Sequence, residues 1–112
     1  MKKVYFLKTC DTCRRILKDL NLEGFEQQEI KTNPITANEL EEMYQLSKSY
    51  EALFNKRARL YKSLDLKNKD LSEIDYKDYL LQEYTFLKRP VFIIDNQIFI
   101  GNSKKVVEEM KK

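Results

Sequence analysis

Cys10 and Cys13 are the two cysteines of the chain, and they stand in KTCDTCRRIL, residues 8–17, with two residues between them. Two thiols at this spacing admit three chemistries: a redox couple, half of a metal site, or two small apolar side chains that happen to be close. If Cys10 opens a helix, its sulfur meets free backbone N–H groups and the positive end of the helix dipole, which stabilise a thiolate. Cys13 then follows one turn later on the same face. Cys10 becomes the nucleophile and Cys13 the resolving thiol, which displaces the product and closes an internal disulfide. Arg14 and Arg15 add positive charge, although one of them must face solvent. Zinc asks for four ligands, and this chain has two cysteines and no histidine. Inert packing is the plain alternative, because free cysteine is often buried.

A redox pair needs a strand before it and a helix beneath it. VYFL (4–7) is a short run of strand formers, and Thr9 is read as the cap of a helix beginning near Cys10. Cys13, Ile16, Leu17 and Leu20 recur at helical spacing, which predicts a helix to about Asn21. Gly24 ends the connection, and FEQQEI (25–30) reads as a second, partly polar strand. Two strands joined by a helix form a parallel pair with a right-handed crossover.

Asn33-Pro34 then breaks the pattern, and Thr36 to Glu39 spells a capping box before Leu40, Met43 and Tyr44. Short helical pieces are expected through 50–55 and 60–65. Ser72 caps a further helix to about Tyr84 whose core side is Ile74, Tyr76, Tyr79 and Leu80. In RPVFIIDNQIFIG (89–101) the period changes: VFII and QIFI are strands joined by an Asp95-Asn96 turn. Asn102 or Ser103 caps a last helix with Val106, Val107 and Met110 inward. The predicted fold is α/β, a thioredoxin-like (glutaredoxin-like) four-stranded mixed sheet with an inserted helical subdomain. Its core is about 1–32 and 86–112, and its insertion about 33–85. In such a core a cis proline precedes the third strand and sits against the active cysteine. Pro90 stands at that place, although a proline that merely starts a strand is common. Arg89 then falls near the thiols, where a guanidinium can lower the Cys10 pKa or hold an anionic substrate.

Composition narrows the setting. The 112 residues fit one domain, and 21 basic against 18 acidic residues give a net charge of +3, too balanced to argue direct nucleic-acid binding. No apolar run approaches the roughly 20 residues that span a bilayer. MKKVYFLKTC lacks the longer apolar core of a signal peptide, so a cytoplasmic protein is expected. Most of the seven tyrosines lie in the helical block, where they are expected to pack with their hydroxyls at the rim.

Three stretches together resemble the ArsC-like family: TCDTCRR after the first strand, SYEALFNKRARLYKSL in the helical block, and LKRPVFI before the hairpin. The resemblance runs from about residue 3 to 110. That family joins arsenate reductases, Spx-type transcription regulators and small thiol proteins on a thioredoxin-like fold. The resemblance implies that Cys10 is the reactive cysteine and Arg89 the active-site arginine. It also implies that Arg57 matches the arginine that Spx-type members carry after ALFN, with Arg59 the equivalent if the loop slips. The expected substrate-binding residues are Arg57, from this resemblance, with Pro90 and Thr9 from their places beside the thiols. Glutaredoxin-coupled arsenate reductases use a single cysteine, and carry arginines where this chain has Asn55 and Gly101. Spx-type regulators keep CxxC and bind the RNA polymerase alpha subunit through a surface with a glycine, whereas ELEEMYQLSKSYEALF has none.

The expected function is a thiol–disulfide oxidoreductase that acts on a thiol client or a small oxyanion. It would bind no cofactor or metal, draw electrons from glutathione, thioredoxin or glutaredoxin, and act as a monomer. The alternatives are a redox-switched regulator on the RNA polymerase alpha subunit, and an arsenate reductase.

Overall fold

The computed structural model describes residues 2–110, with all their side chains except those of Lys104 and Met110. The chain forms two compact units, Met1–Pro34 with Arg89–Lys112, and Ile35–Lys88.

In the first unit, strand β1 (Lys2–Phe6) leads into helix α1 (Asp11–Asp19) and returns as β2 (Glu26–Glu29) parallel to β1. Gly24, at φ 84°, makes the turn into β2, a conformation glycine adopts without penalty. After the second unit, β3 (Val91–Ile94) pairs antiparallel with β1, and β4 (Gln97–Ile100) pairs antiparallel with β3. The sheet order is β2-β1-β3-β4. This is the mixed four-stranded sheet read from the sequence. The β3–β4 turn is Asp95-Asn96 as expected, with Asp95 at φ 53°, a left-handed conformation that Asp tolerates.

Register places the core. Val4 lies opposite Phe92, and Phe92 opposite Phe99, so the three share one face of the sheet. Ile16 of α1 packs there with Val4 and Phe92; Phe6, Leu17, Leu20, Leu22, Phe25 and Val107 surround them. The Phe25 ring meets Phe92 edge-on at 6.2 Å. Val107 belongs to the last helix, numbered α5 (Lys104–Met110), capped by the Ser103 hydroxyl, which accepts from the Val106 N–H at 3.2 Å. The inward position expected of Met110 lies outside the described side chains.

The second unit holds α2 (Ala37–Ser47), α3 (Arg59–Ser63) and α4 (Glu73–Gln82), with short 3-10 turns at Glu51–Leu53, Leu66–Asn68 and Tyr84–Phe86. Both long helices open on reciprocal capping boxes, Thr36 with Glu39 and Ser72 with Asp75. Phe54 is the aromatic hub. It stacks on Phe86 at 4.8 Å and meets Tyr76 and Tyr61 edge-on at 5.0 and 6.0 Å. The tyrosines do pack this block. Ile74 departs from expectation and is 69% exposed. It precedes the buried Tyr76 by two positions, about 200° around the helix, which turns it away from the Tyr76–Leu80 face.

Phe92 is 1% exposed at the centre of its cluster. Phe92→Ala should therefore cost about 3–5 kcal/mol in urea unfolding followed by circular dichroism. Thr36→Ala, which removes one capping oxygen, should cost about 1 kcal/mol.

Candidate active site

The dithiol sits at the junction of β1 and α1. After β1 the N–H of Cys10 donates to the Leu7 carbonyl at 3.0 Å, closing a turn through Lys8 and Thr9. The turn delays helix entry by one residue, so the cap position falls on Cys10 and not, as expected, near Thr9. Cys10 has the extended φ and ψ of a cap, −89° and 111°, and its carbonyl accepts the first helical hydrogen bond, from the Arg14 N–H at 3.1 Å. Thr9 remains exposed in the turn beside it.

Both cysteines are free thiols, Cys10 half-buried and Cys13 wholly buried. Cys13 occupies the third helical position, where a cap side chain normally finds its partner N–H. The Cys10 sulfur makes no capping hydrogen bond of ordinary geometry. The Cys13 N–H and thiol face it as looser electrostatic partners, and the Arg89 guanidinium faces it as a cation. Burial pushes the Cys10 thiol up. The Cys13 N–H, the Cys13 thiol and Arg89 together outweigh burial and hold it below the ordinary range. Burial dominates at Cys13 and, with the Cys10 charge beside it, leaves that thiol pushed up to about 12, although the Leu7 N–H and Arg89 favour its thiolate. The two thiols are thus displaced in opposite directions, Cys10 down and Cys13 up.

Arg89 immediately follows the Lys88 end of the helical unit and precedes β3. The Arg89–Pro90 peptide bond is cis, as the position before the third strand suggested. Pro90 is buried, and its carbonyl accepts the Gly101 N–H at 2.9 Å. Gly101 has φ 90°, a conformation that favours glycine.

The structure therefore brings together Cys10, Cys13 and Arg89. It does not use the adjacent arginines as expected: Arg14 turns to its own neighbour Asp11, and Arg14 and Arg15 are both exposed. Arg57 is exposed in a turn of the other unit, where its N–H donates to the Asn55 side chain at 3.0 Å. Among the described residues no three His, Cys, Asp or Glu side chains converge as a metal-holding group. No helix among them is long and apolar enough to cross a membrane. Sequence reasoning passed over Glu29, whose carboxylate accepts the Lys8 N–H at 2.8 Å. A polar residue at the end of a polar strand gives no signal of that contact.

Comparison with known proteins places this geometry. Residues 5–110 match the ArsC family. The global transcriptional regulator Spx of Lactiplantibacillus plantarum is 22% identical over 101 residues, which cover 88% of this chain and 76% of that protein. A Staphylococcus aureus protein with a known solution structure superposes at a TM-score of 0.78 with 30% identity, covering 97% of each chain. The arsenate reductase of Vibrio cholerae superposes at 0.76 with 24% identity over 96% of this chain and 95% of that one, a likeness of fold. With a match across nearly its whole length and a thioredoxin-like sheet carrying the dithiol at its first strand–helix junction, the chain belongs to the ArsC family.

Proposed function

We propose that this protein is a thiol–disulfide oxidoreductase in which Cys10 attacks and Cys13 resolves. The opposite displacement of the two thiols carries this reading: Cys10 is held below the ordinary range, and Cys13 is pushed up to about 12. Thiol exchange needs a thiolate on the attacking sulfur and a second sulfur in reserve.

In the first step the Cys10 thiolate attacks one sulfur of a client disulfide. A Cys10–client bond forms, the client S–S bond breaks, and the departing thiolate takes a proton from solvent. Capping Cys10 in this way removes its negative charge. That charge and the thiol contact to it are two of the causes that raise Cys13, so the resolving thiol becomes more acidic when it is required. Cys13 then yields its proton to solvent, attacks the Cys10 sulfur and releases the second client thiol. The client has gained two electrons and the protein holds a Cys10–Cys13 disulfide. Two molecules of glutathione, or the dithiol of thioredoxin or glutaredoxin, return those electrons.

Arg89 supports the reading as a fixed cation for an anionic group on the client or donor, such as a carboxylate. Thr9 beside Cys10 and Pro90 beside Arg89 are the proposed flanks of the approach. The role of Arg57 rests on the family resemblance alone. Reaction in the cytoplasm by a monomer fits this chemistry. A second reading is favoured by the similarity to Spx: the same pair would serve as a switch that alters binding to the RNA polymerase alpha subunit. Arsenate reduction has less support, because the family resemblance sets Asn55 and Gly101 of this chain at positions where it implies arginines in arsenate reductases.

Titration of Cys10 by pH-dependent alkylation with mass readout should give a midpoint below the ~8.5 of a free cysteine. The sign is set by which form is stabilised: reactivity rises as pH rises through the lowered value and then levels. Arg89→Gln should move the midpoint up, and Arg89→Lys should restore part of the difference. An ordinary midpoint in the unaltered protein would remove the basis of the catalytic reading.

Reduction of hydroxyethyl disulfide with glutathione should exceed the uncatalysed rate. Cys10→Ser should abolish the excess, and Cys13→Ser should accumulate a mixed disulfide at Cys10, visible by mass. Failure to turn over, with oxidation-dependent binding of the polymerase alpha subunit, would favour the switch instead.

A further inference from the structure

The turn that carries the dithiol is held from outside by one carboxylate. Glu29, the last residue of β2, accepts the Lys8 N–H on Oε2 at 2.8 Å. Its Oε1 accepts the Lys31 N–H at 2.8 Å, the Thr32 N–H at 2.9 Å and the Thr32 hydroxyl at 3.2 Å. One side chain thus joins the segment after β1 to the segment after β2. The backbone ladder adds a parallel tie one position earlier, where the Ile30 N–H donates to the Phe6 carbonyl at 2.9 Å.

Lys8 is the residue next to Leu7, and Leu7 contacts both halves of the pair. Its carbonyl receives the Cys10 N–H at 3.0 Å, and its N–H donates toward the Cys13 sulfur. A chain of direct bonds therefore runs from Glu29 through Lys8 and Leu7 to Cys10, and Leu7 is also an electrostatic partner of Cys13. Burial would push the Glu29 carboxyl up, but the Lys8, Thr32 and Lys31 N–H groups and the Thr32 hydroxyl outweigh it and hold the group ionised below its usual range.

We propose that Glu29 is a positioning residue for the dithiol: by fixing Lys8 it holds the Leu7–Cys10 turn in the form that presents the Cys10 sulfur to the Cys13 N–H and to Arg89. This rests on the oxidoreductase reading of the pair. Glu29 itself touches neither sulfur in this scheme, and acts through the backbone.

The sign of a mutational effect separates positioning from simple charge. A carboxylate that mattered only as a nearby negative charge would disfavour the Cys10 thiolate, so its removal would lower the Cys10 midpoint. A carboxylate that holds the turn does the reverse when removed. The experiment is iodoacetamide alkylation of Cys10 across pH, read by mass, on the full chain with circular dichroism to check folding. Glu29→Ala should shift the midpoint up and slow alkylation at pH 7. Glu29→Gln, which keeps one acceptor oxygen and turns the other position into a donor, should shift it up by less. Thr32→Val loses the hydroxyl bond to Oε1 and spares Lys8, and should leave the profile unchanged.

A downward or absent shift in Glu29→Gln overturns the proposal, as does a Thr32→Val shift equal to that of Glu29→Ala. An ordinary Cys10 midpoint in the unaltered protein would instead defeat the oxidoreductase reading, so the two failures are distinguishable.

Discussion

The first unit is arranged so that fixed partners which favour a thiolate meet at the Cys10 sulfur. Water would solvate the thiolate charge, and partial burial removes some of the water. The protein replaces it with dipoles and a cation fixed in place: the Cys13 N–H, the Cys13 thiol and the Arg89 guanidinium. Each comes from a different structural commitment. The N–H is available because α1 starts at Asp11 and its first turn has no carbonyl to bond. The thiol is available because Cys13 is buried against the sheet unit with its proton retained. The guanidinium is available because the chain re-enters the sheet at Arg89.

The fold supplies these at one place through strand register. β1 is central, bonded to β2 on one side and β3 on the other. Its C-terminal end carries the cysteine turn, and the N-terminal end of antiparallel β3 lies next to it, with Val91 opposite Tyr5. Arg89 and Pro90 precede Val91, so antiparallel pairing delivers them to the same edge as Cys10. The Val4–Phe92–Phe99 row with Ile16 fixes α1 on the sheet, and hence the direction of the helix end toward the sulfur.

The strands, the Thr36 capping box, the Ser72 cap and the dithiol were legible because each has a local signature. VFII and QIFI flank an Asp-Asn turn, and Thr36 and Ser72 each stand three residues before a carboxylate that reaches back. The exact helix start was not legible. Thr9 is the better capping residue in isolation, but the Cys10 N–H is already committed to Leu7, and that local turn overrode the propensity. Ile74 was misplaced because it lies two positions before Tyr76, on the opposite side of the helix, near a helix start where few neighbours constrain the period. Arg14 looked useful by proximity in sequence, but Asp11 at the preceding turn satisfies it. The Glu29 contact crosses 21 positions between two loops, a separation at which no local pattern carries information.

Complete burial of Cys13 also fixes an order of events for any reagent that arrives from solvent. Of the two thiols, a diffusing peroxide or electrophile meets only Cys10, because Cys13 has no accessible surface. A thiolate that is oxidised passes first through a sulfenic acid, which a neighbouring thiol can condense with to give a disulfide and water. Under the oxidoreductase reading, the hidden residue would be a safeguard held inside the wall, spent once and restored by any reductant able to open the bond.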